Sequence, residues 1–283
     1  MKLDEFYIGW MPKAPELFSR HIRKVILILI AITILIASVL SLGQLKFGTA
    51  NFEFGQLTEL KGIYFASPVP ILKVINGKTI FGKLNYITIP LIGYGKHGAE
   101  GVISDIEKEK NILLNEREVT MKGTLLYNDG KLLMQVDAND HFLINAGNIA
   151  NASLLPDKKN IGDQTLSGEI VDPKCFFGVM KPGQGKPHKD CAIRCILGGM
   201  PPVLHVADES GKENYYLVVG PNGEKMNEAV KDFVAEPVSL QARIERYDDW
   251  IILYVKENSL KRYSYIQSHF GNTIASCGEM SPR

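Results

Sequence analysis

The run Val25 to Leu42, VILILIAITILIASVLSL, carries no charge, no proline and no glycine. No other stretch narrows the folding choices of the chain as much. As an α-helix rising about 1.5 Å per residue it is roughly 27 Å long, close to the hydrocarbon thickness of a bilayer. A core helix in a domain of this size would keep a polar face. A cleavable leader would have a shorter apolar run, usually ~7–15 residues, behind a shorter charged stretch. The run therefore reads as an uncleaved single-span anchor over residues 25–42. Arg20, Arg23 and Lys24 precede it and only Lys46 follows closely. The excess of basic residues places the tail, residues 1–24, in the cytoplasm and the rest on the far face of the inner membrane, the periplasm of a bacterium with two membranes. Phe6, Tyr7, Ile8, Trp10, Met11 and Phe18 crowd that tail around Pro12 and Pro15. They suit the headgroup level of the membrane, with docking onto a neighbouring membrane subunit as the alternative.

Charge excludes one large class of partner. The whole chain carries a formal +1, but residues 1–24 hold five Lys/Arg against three Asp/Glu, so the remainder is close to neutral. A nucleic-acid partner needs a basic stripe to neutralise phosphates, and the sequence contains none.

Beyond a linker over residues 43–54, two segments of one plan follow. The first, residues 55–150, runs through LTELKGIYFASPVPILKV and YITIPLIG, then a helical AEGVISDIEKEK, then REVTMKGTLLYNDGKLLMQVD. Asn128-Asp129-Gly130 in the last piece is a strong hairpin signal. Residues 151–164 are polar and read as a linker. The second segment, residues 165–263, gives a strand in TLSGEIVDP, a cysteine-bearing insertion, strands in PVLHVAD and ENYYLVVG, a helix in NEAVKDFVAE, and a closing pair turning at Tyr247-Asp248-Asp249. The two closing pairs look alike. The expected fold is mainly β with short helices: two tandem five-stranded barrels, each with a helix before its fourth strand, in the order of the OB-fold. Residues 264–283 form a polar tail containing Cys277.

The chemistry concentrates in the insertion, CFFGVMKPGQGKPHKDCAIRCILGGMPP, from Cys175 to Pro202. Pro187 suits the start of a helix and Gly198-Gly199 its end. On a helix from Pro187 to Leu197, His188, Cys191 and Cys195 fall at i, i+3 and i+7 and share one face, and Cys175 could fold back onto it. Thiolate and imidazole suit zinc or copper, so Cys175, His188, Cys191 and Cys195 are the candidate metal ligands. The competing use is a disulfide from Cys175 to Cys191 or Cys195. It would close a loop of about 15–20 residues, worth roughly 3 kcal/mol in the chain-entropy model, and the oxidising compartment favours it as the resting state. Asp172 reads as a turn residue or as an acceptor that orients His188. His205 reads as a core histidine, and His97, in the glycine-rich GYGKHG, as a loop residue. No haem, nucleotide-binding or nucleophile-elbow motif is present, and no catalytic residue is assigned.

The second segment resembles a group of uncharacterised bacterial membrane-anchored periplasmic proteins. These carry an early Cys, then HxxCAxxC, then a Gly-Gly-x-Pro turn inside a small OB-like β domain. The matching residues here are Cys175, His188, Cys191, Ala192, Cys195, Gly198, Gly199 and Pro201. Tandem versions behind one anchor look like accessory proteins encoded near periplasmic respiratory oxidoreductases. The resemblance implies no established activity; the leading reading is a non-catalytic accessory subunit of a membrane-associated electron-transfer complex, with other membrane subunits as partners. A stand-alone thiol-redox or metal-handling protein is the different-class alternative.

Overall fold

The computed structural model describes residues 15–44, 50–78, 84–137, 140–151, 154–207 and 213–263. The aromatic residues of the tail up to position 14, and the C-terminal tail with Cys277, lie outside the described residues.

Helix α1 (Glu16–Gln44) contains the apolar run. Its stretch Phe18–Gly43 is long and apolar enough to cross a membrane. The helix starts about two and a half turns before the expected boundary. Arg20, Arg23 and Lys24 therefore ride on it, where long side chains can reach the headgroups while their stems stay apolar. Thr33 and Ser38 return their hydroxyls to the carbonyls of Leu29 and Ile34, both at 2.8 Å, so neither needs a polar neighbour in lipid.

The rest of the chain forms a second compact unit holding two closed five-stranded barrels. The first has β1 (Asn51–Phe52), β2 (Thr58–Phe65), β3 (Ile71–Lys78), β4 (Leu84–Ile92), α2 (Ala99–Glu109), β5 (Arg117–Asn128), β6 (Lys131–Val136) and β7 (Leu143–Ile149). Strands β5, β2, β3, β4 and β6 follow one another around the barrel. A parallel β4–β6 contact and the β5–β6 hairpin close it. Asp129 and Gly130 carry the two positive φ values, 46° and 73°, that the expected tight turn requires. Ala99, Ile103 and Ile106 recur along one face of α2 and pack with Leu72, Ile89, Leu91 and Met134.

The second barrel has β8 (Lys158–Val171), the insertion with α3 (Lys189–Leu197), β9 (Val203–Ala207), β10 (Glu213–Val219), α4 (Asn227–Val230), β11 (Pro237–Tyr247), β12 (Trp250–Val255) and β13 (Lys261–Arg262). Its ring, β12-β10-β9-β8-β11 with β11–β12 closing and β10–β12 parallel, repeats the first. In both barrels the helix precedes the fourth strand, so the tandem OB-like plan read from the sequence is the fold. β8 is longer than expected because its first residues pair with the far end of β11, from Lys158 opposite Tyr247.

The barrels are not beads on a string. The β11–β12 turn of the second barrel inserts its acidic pair against the first. Asp248 Oδ1 accepts from Lys73 Nζ at 3.0 Å, and Asp249 Oδ1 accepts from the backbone N–H of Thr88 at 2.8 Å. Trp250 Nε1 donates to the carbonyl of Thr88 at 2.9 Å. Around this polar plug lies one apolar cluster drawn from both barrels, with Ile63, Phe65, Ile71 and Leu133 from the first and Phe177, Tyr215, Leu217 and Trp250 from the second.

Candidate functional site

Strand β8 ends at Val171, and Asp172 stops the ladder by folding back. Its Oδ1 accepts from the N–H of Lys174 at 2.9 Å, and its carbonyl accepts from the N–H of Phe176 at 3.0 Å. A single wide helical turn follows over Cys175–Val179, held by Met180 N–H donating to the carbonyl of Cys175 at 3.1 Å. Gly178 closes it at φ 148°, where a Cβ would meet the carbonyl carbon of Asn51 at 2.6 Å. The turn buries Phe176 and Phe177. Phe176 lies against His205 and Tyr215, with ring centroids at 4.7 and 5.6 Å. That anchors Cys175 from below.

The expected helix is present in two parts. A tight helical turn, Lys186–His188, leads into α3, and His188 is the residue that caps it. His188 thus stands at the junction of the two, three residues before Cys191. Ala192 and Ile196 face the second barrel's core with Ile170, Leu204 and Val230, whereas Cys195 joins the cluster between the barrels. Gly199 ends the helix at φ 101°, and Asn227 Nδ2 covers the loose carbonyls of Ile196 and Met200 at 2.6 and 2.7 Å.

These segments bring all four expected ligands to one place. They resolve into two groups that share Cys175: Cys175 with His188 and Cys191, and Cys175 with Asp172 and Cys195. Within each group the ligand atoms lie within 4.8 Å of one another. Asp172 is thus a member of the cluster in its own right, beyond the turn or orienting role read from the sequence. It is completely buried, and His188 is 3% exposed. Asp172 Oδ2 and His188 Nε2 are both buried with no hydrogen-bond partner among the described residues. Leaving such atoms unpaired costs about 1–3 kcal/mol each.

No disulfide joins the described cysteines. Cys175, Cys191 and Cys195 are free. The Cys175 thiol lies between the other two, hydrogen-bonded to Cys195, in a pocket whose spacing suits contact rather than a covalent bond. That hydrogen bond, burial, the Asp172 charge and a hydrogen bond to the Asp172 side chain all push the Cys175 thiol well above the usual range. Burial lowers the His188 imidazole against the opposing pull of Asp172, which leaves its ring neutral and able to donate a lone pair to a metal.

The wall of the site comes from the other barrel. The glycine-rich loop after β4 lies across α3, with Gly98 N–H donating to the carbonyl of Gly198 at 3.0 Å. Lys96 Nζ donates to Cys191 Sγ at 3.4 Å. Lys174 reaches back to the carbonyls of Gly93 and Gly95 at 3.0 and 2.7 Å. Burial lowers its ammonium, while Asp172 and the neighbouring cysteines hold it up. Sequence reasoning missed both lysines. The only signal was the glycine-rich GYGKHG itself, since close backbone approach is what such loops permit. His97 belongs to neither ligand group, and His205 is a buried ring stacked on Tyr215 at 5.7 Å; the satisfied core role read from the sequence is only part of the outcome, because its Nε2 is buried without a hydrogen-bond partner among the described residues, with Glu213 Oε1 3.6 Å away.

Neither a scan of protein-family models nor a search of curated proteins finds a match. The function therefore has to be argued from the chemistry of this pocket. Two buried thiols, the half-buried Cys191 thiol, a buried imidazole and a buried carboxylate, with two unpaired polar atoms among them, fit a thiophilic metal ion. The donor types are right, and an ion would complete both orphaned groups.

Proposed function

We propose that the chain is a membrane-anchored, periplasm-facing accessory subunit of an electron-transfer complex. On this reading Cys175, His188, Cys191 and Cys195 hold a soft metal ion, zinc or copper, that fixes the insertion between the barrels. The observation that carries the metal is the pair of buried, unpartnered atoms, His188 Nε2 and Asp172 Oδ2, beside three free thiols. The ion would act structurally, tying the turn after β8 to α3. No substrate-binding or nucleophile-activating constellation is needed, in keeping with a subunit that shapes an assembly. The apolar helix and the basic flank of Arg20, Arg23 and Lys24 support the anchored orientation. The resemblance carried by HxxCAxxC and Gly-Gly-x-Pro supports the respiratory partner.

The stand-alone metal-handling reading draws on one observation. Cys191 is only half-buried, so an ion at its sulfur could exchange with a carrier. Purification of the full-length chain in mild detergent separates the two readings. The subunit reading expects a stable complex containing further membrane proteins, and recovery as an isolated protein would refute it. Elemental analysis of the same sample should find zinc or copper, lost on Cys175→Ser. A metal-free preparation that gains no ion on reconstitution would end the metal reading.

A further inference from the structure

Resting on that metal-holding reading, we propose that the pocket is built for two monovalent copper ions bridged by the Cys175 thiolate. One would be held with His188 and Cys191, the other with Asp172 and Cys195.

The first argument is the grouping. A single tetrahedral ion with metal–sulfur bonds of about 2.3 Å needs all its donors within roughly 4 Å of one another. The five candidate donors do not form one such set. They fall into two groups of three that have only Cys175 in common. Three donors around a centre suit monovalent copper, and thiolates select it over harder ions.

The second argument is the unpaired atoms. Each group contains a residue with one such atom: His188, whose Nε2 is unpaired, in the first and Asp172, whose Oδ2 is unpaired, in the second. One ion would satisfy one group and leave the other's buried polar atom without a partner. Two ions satisfy both.

Loading changes no oxidation state. Two Cu(I) ions enter, each cysteine S–H bond is replaced by a sulfur–copper bond, and three protons leave to solvent.

The test uses the full-length chain in detergent with Cys277→Ser, which leaves Cys175, Cys191 and Cys195 as the three thiols of the chain. It is titrated anaerobically with Cu(I) against a chromophoric copper chelator. Saturation is expected at two ions per chain, with a copper–copper scattering vector in X-ray absorption. Cys195→Ser and Asp172→Asn should each fall from two ions to one while His188 and Cys191 keep theirs. Saturation at one ion, or two ions without a copper–copper vector, overturns the bridged pair and leaves the metal-holding reading standing. An Asp172→Asn chain that still binds two ions removes Asp172 from the site. Failure to retain any copper or zinc sinks both readings. Should either variant fail to fold by circular dichroism, the stoichiometry and scattering of the parent chain decide the matter alone.

Discussion

Replacing Asp248 by Asn removes one charge from the joint between the barrels and little else. Asp248 sits at φ 55°, a conformation that Asn tolerates, so the backbone is not the variable. Its carboxylate meets Lys73 at 3.0 Å with side chains only 11% and 4% exposed. With an effective dielectric near 20, two unit charges at that distance attract by about 5–6 kcal/mol before desolvation. Breaking a buried pair from one side typically costs about 3–5 kcal/mol, because the remaining charge stays buried. Asn keeps an acceptor, and Lys73 keeps the carbonyl of Leu155 at 3.1 Å and the Tyr86 ring at 4.5 Å. The loss should therefore lie at the low end, about 3 kcal/mol, or a melting shift of roughly 6–12 °C for a unit of this size. Trp250 is a built-in reporter, since its indole bonds to the first barrel. Fluorescence-monitored urea and thermal unfolding of the full chain, with Trp10→Phe to remove the other indole, would read the joint. Lys73→Met combined with Asp248→Asn should recover part of the loss, because no buried charge is then left alone. The reasoning fails if Asp248→Asn unfolds within 1 kcal/mol of the parent, or if the double variant is no better than the single one.

Gly198→Ala should destabilise the docked pair by about 1–3 kcal/mol, the usual cost of overpacking. Its Cβ would fall 1.9 Å from the backbone carbonyl oxygen of Lys96, and a variant as stable as the parent in urea would refute the interlock. In spheroplasts, added protease should digest the chain beyond residue 43 and spare the tail before residue 24; protection of the barrels would reverse the orientation. Burial lowers the His205 imidazole below its ordinary value, with Glu213 opposing. The unfolded chain then takes up that proton first as pH falls, so stability contributed by neutral His205 is present above about pH 6.5 and is lost below it. His205→Phe should flatten that part of the stability–pH curve, and an unchanged slope would remove His205 as its source. Metal affinity should rise with pH, because the Cys175 thiol, held high by Cys195 and burial, must lose its proton to bind; competition titrations at two pH values would check the sign.

Local chemistry made much of this protein legible in its sequence. A charge-free run as long as a bilayer is thick has few soluble uses, so α1 could be read directly. Asn128-Asp129-Gly130 permits the positive φ values of a tight hairpin, and the matching hairpin at Tyr247–Trp250 exposed the duplication. HxxCxxxC places its donors within two helical turns, so the nearness of His188 and Cys191 needed only a helical turn, whereas Cys195 falls in the other donor group. What the sequence left open depends on contacts between residues far apart in the chain. Lys96 is separated from Cys191 by 95 positions, and Lys73 from Asp248 by 175. No periodicity or spacing encodes such meetings. Asp172 looked like a turn residue because its nearest bond is local, to the N–H of Lys174. Only the folded pocket shows its second oxygen buried and unpaired beside Cys175. The choice between disulfide and free thiols was likewise decided by tertiary packing. Loop length sets the entropy of closing a bond, but the placement of Cys175 near Cys191 in one donor group and near Cys195 in the other sets whether any pair comes within bonding distance.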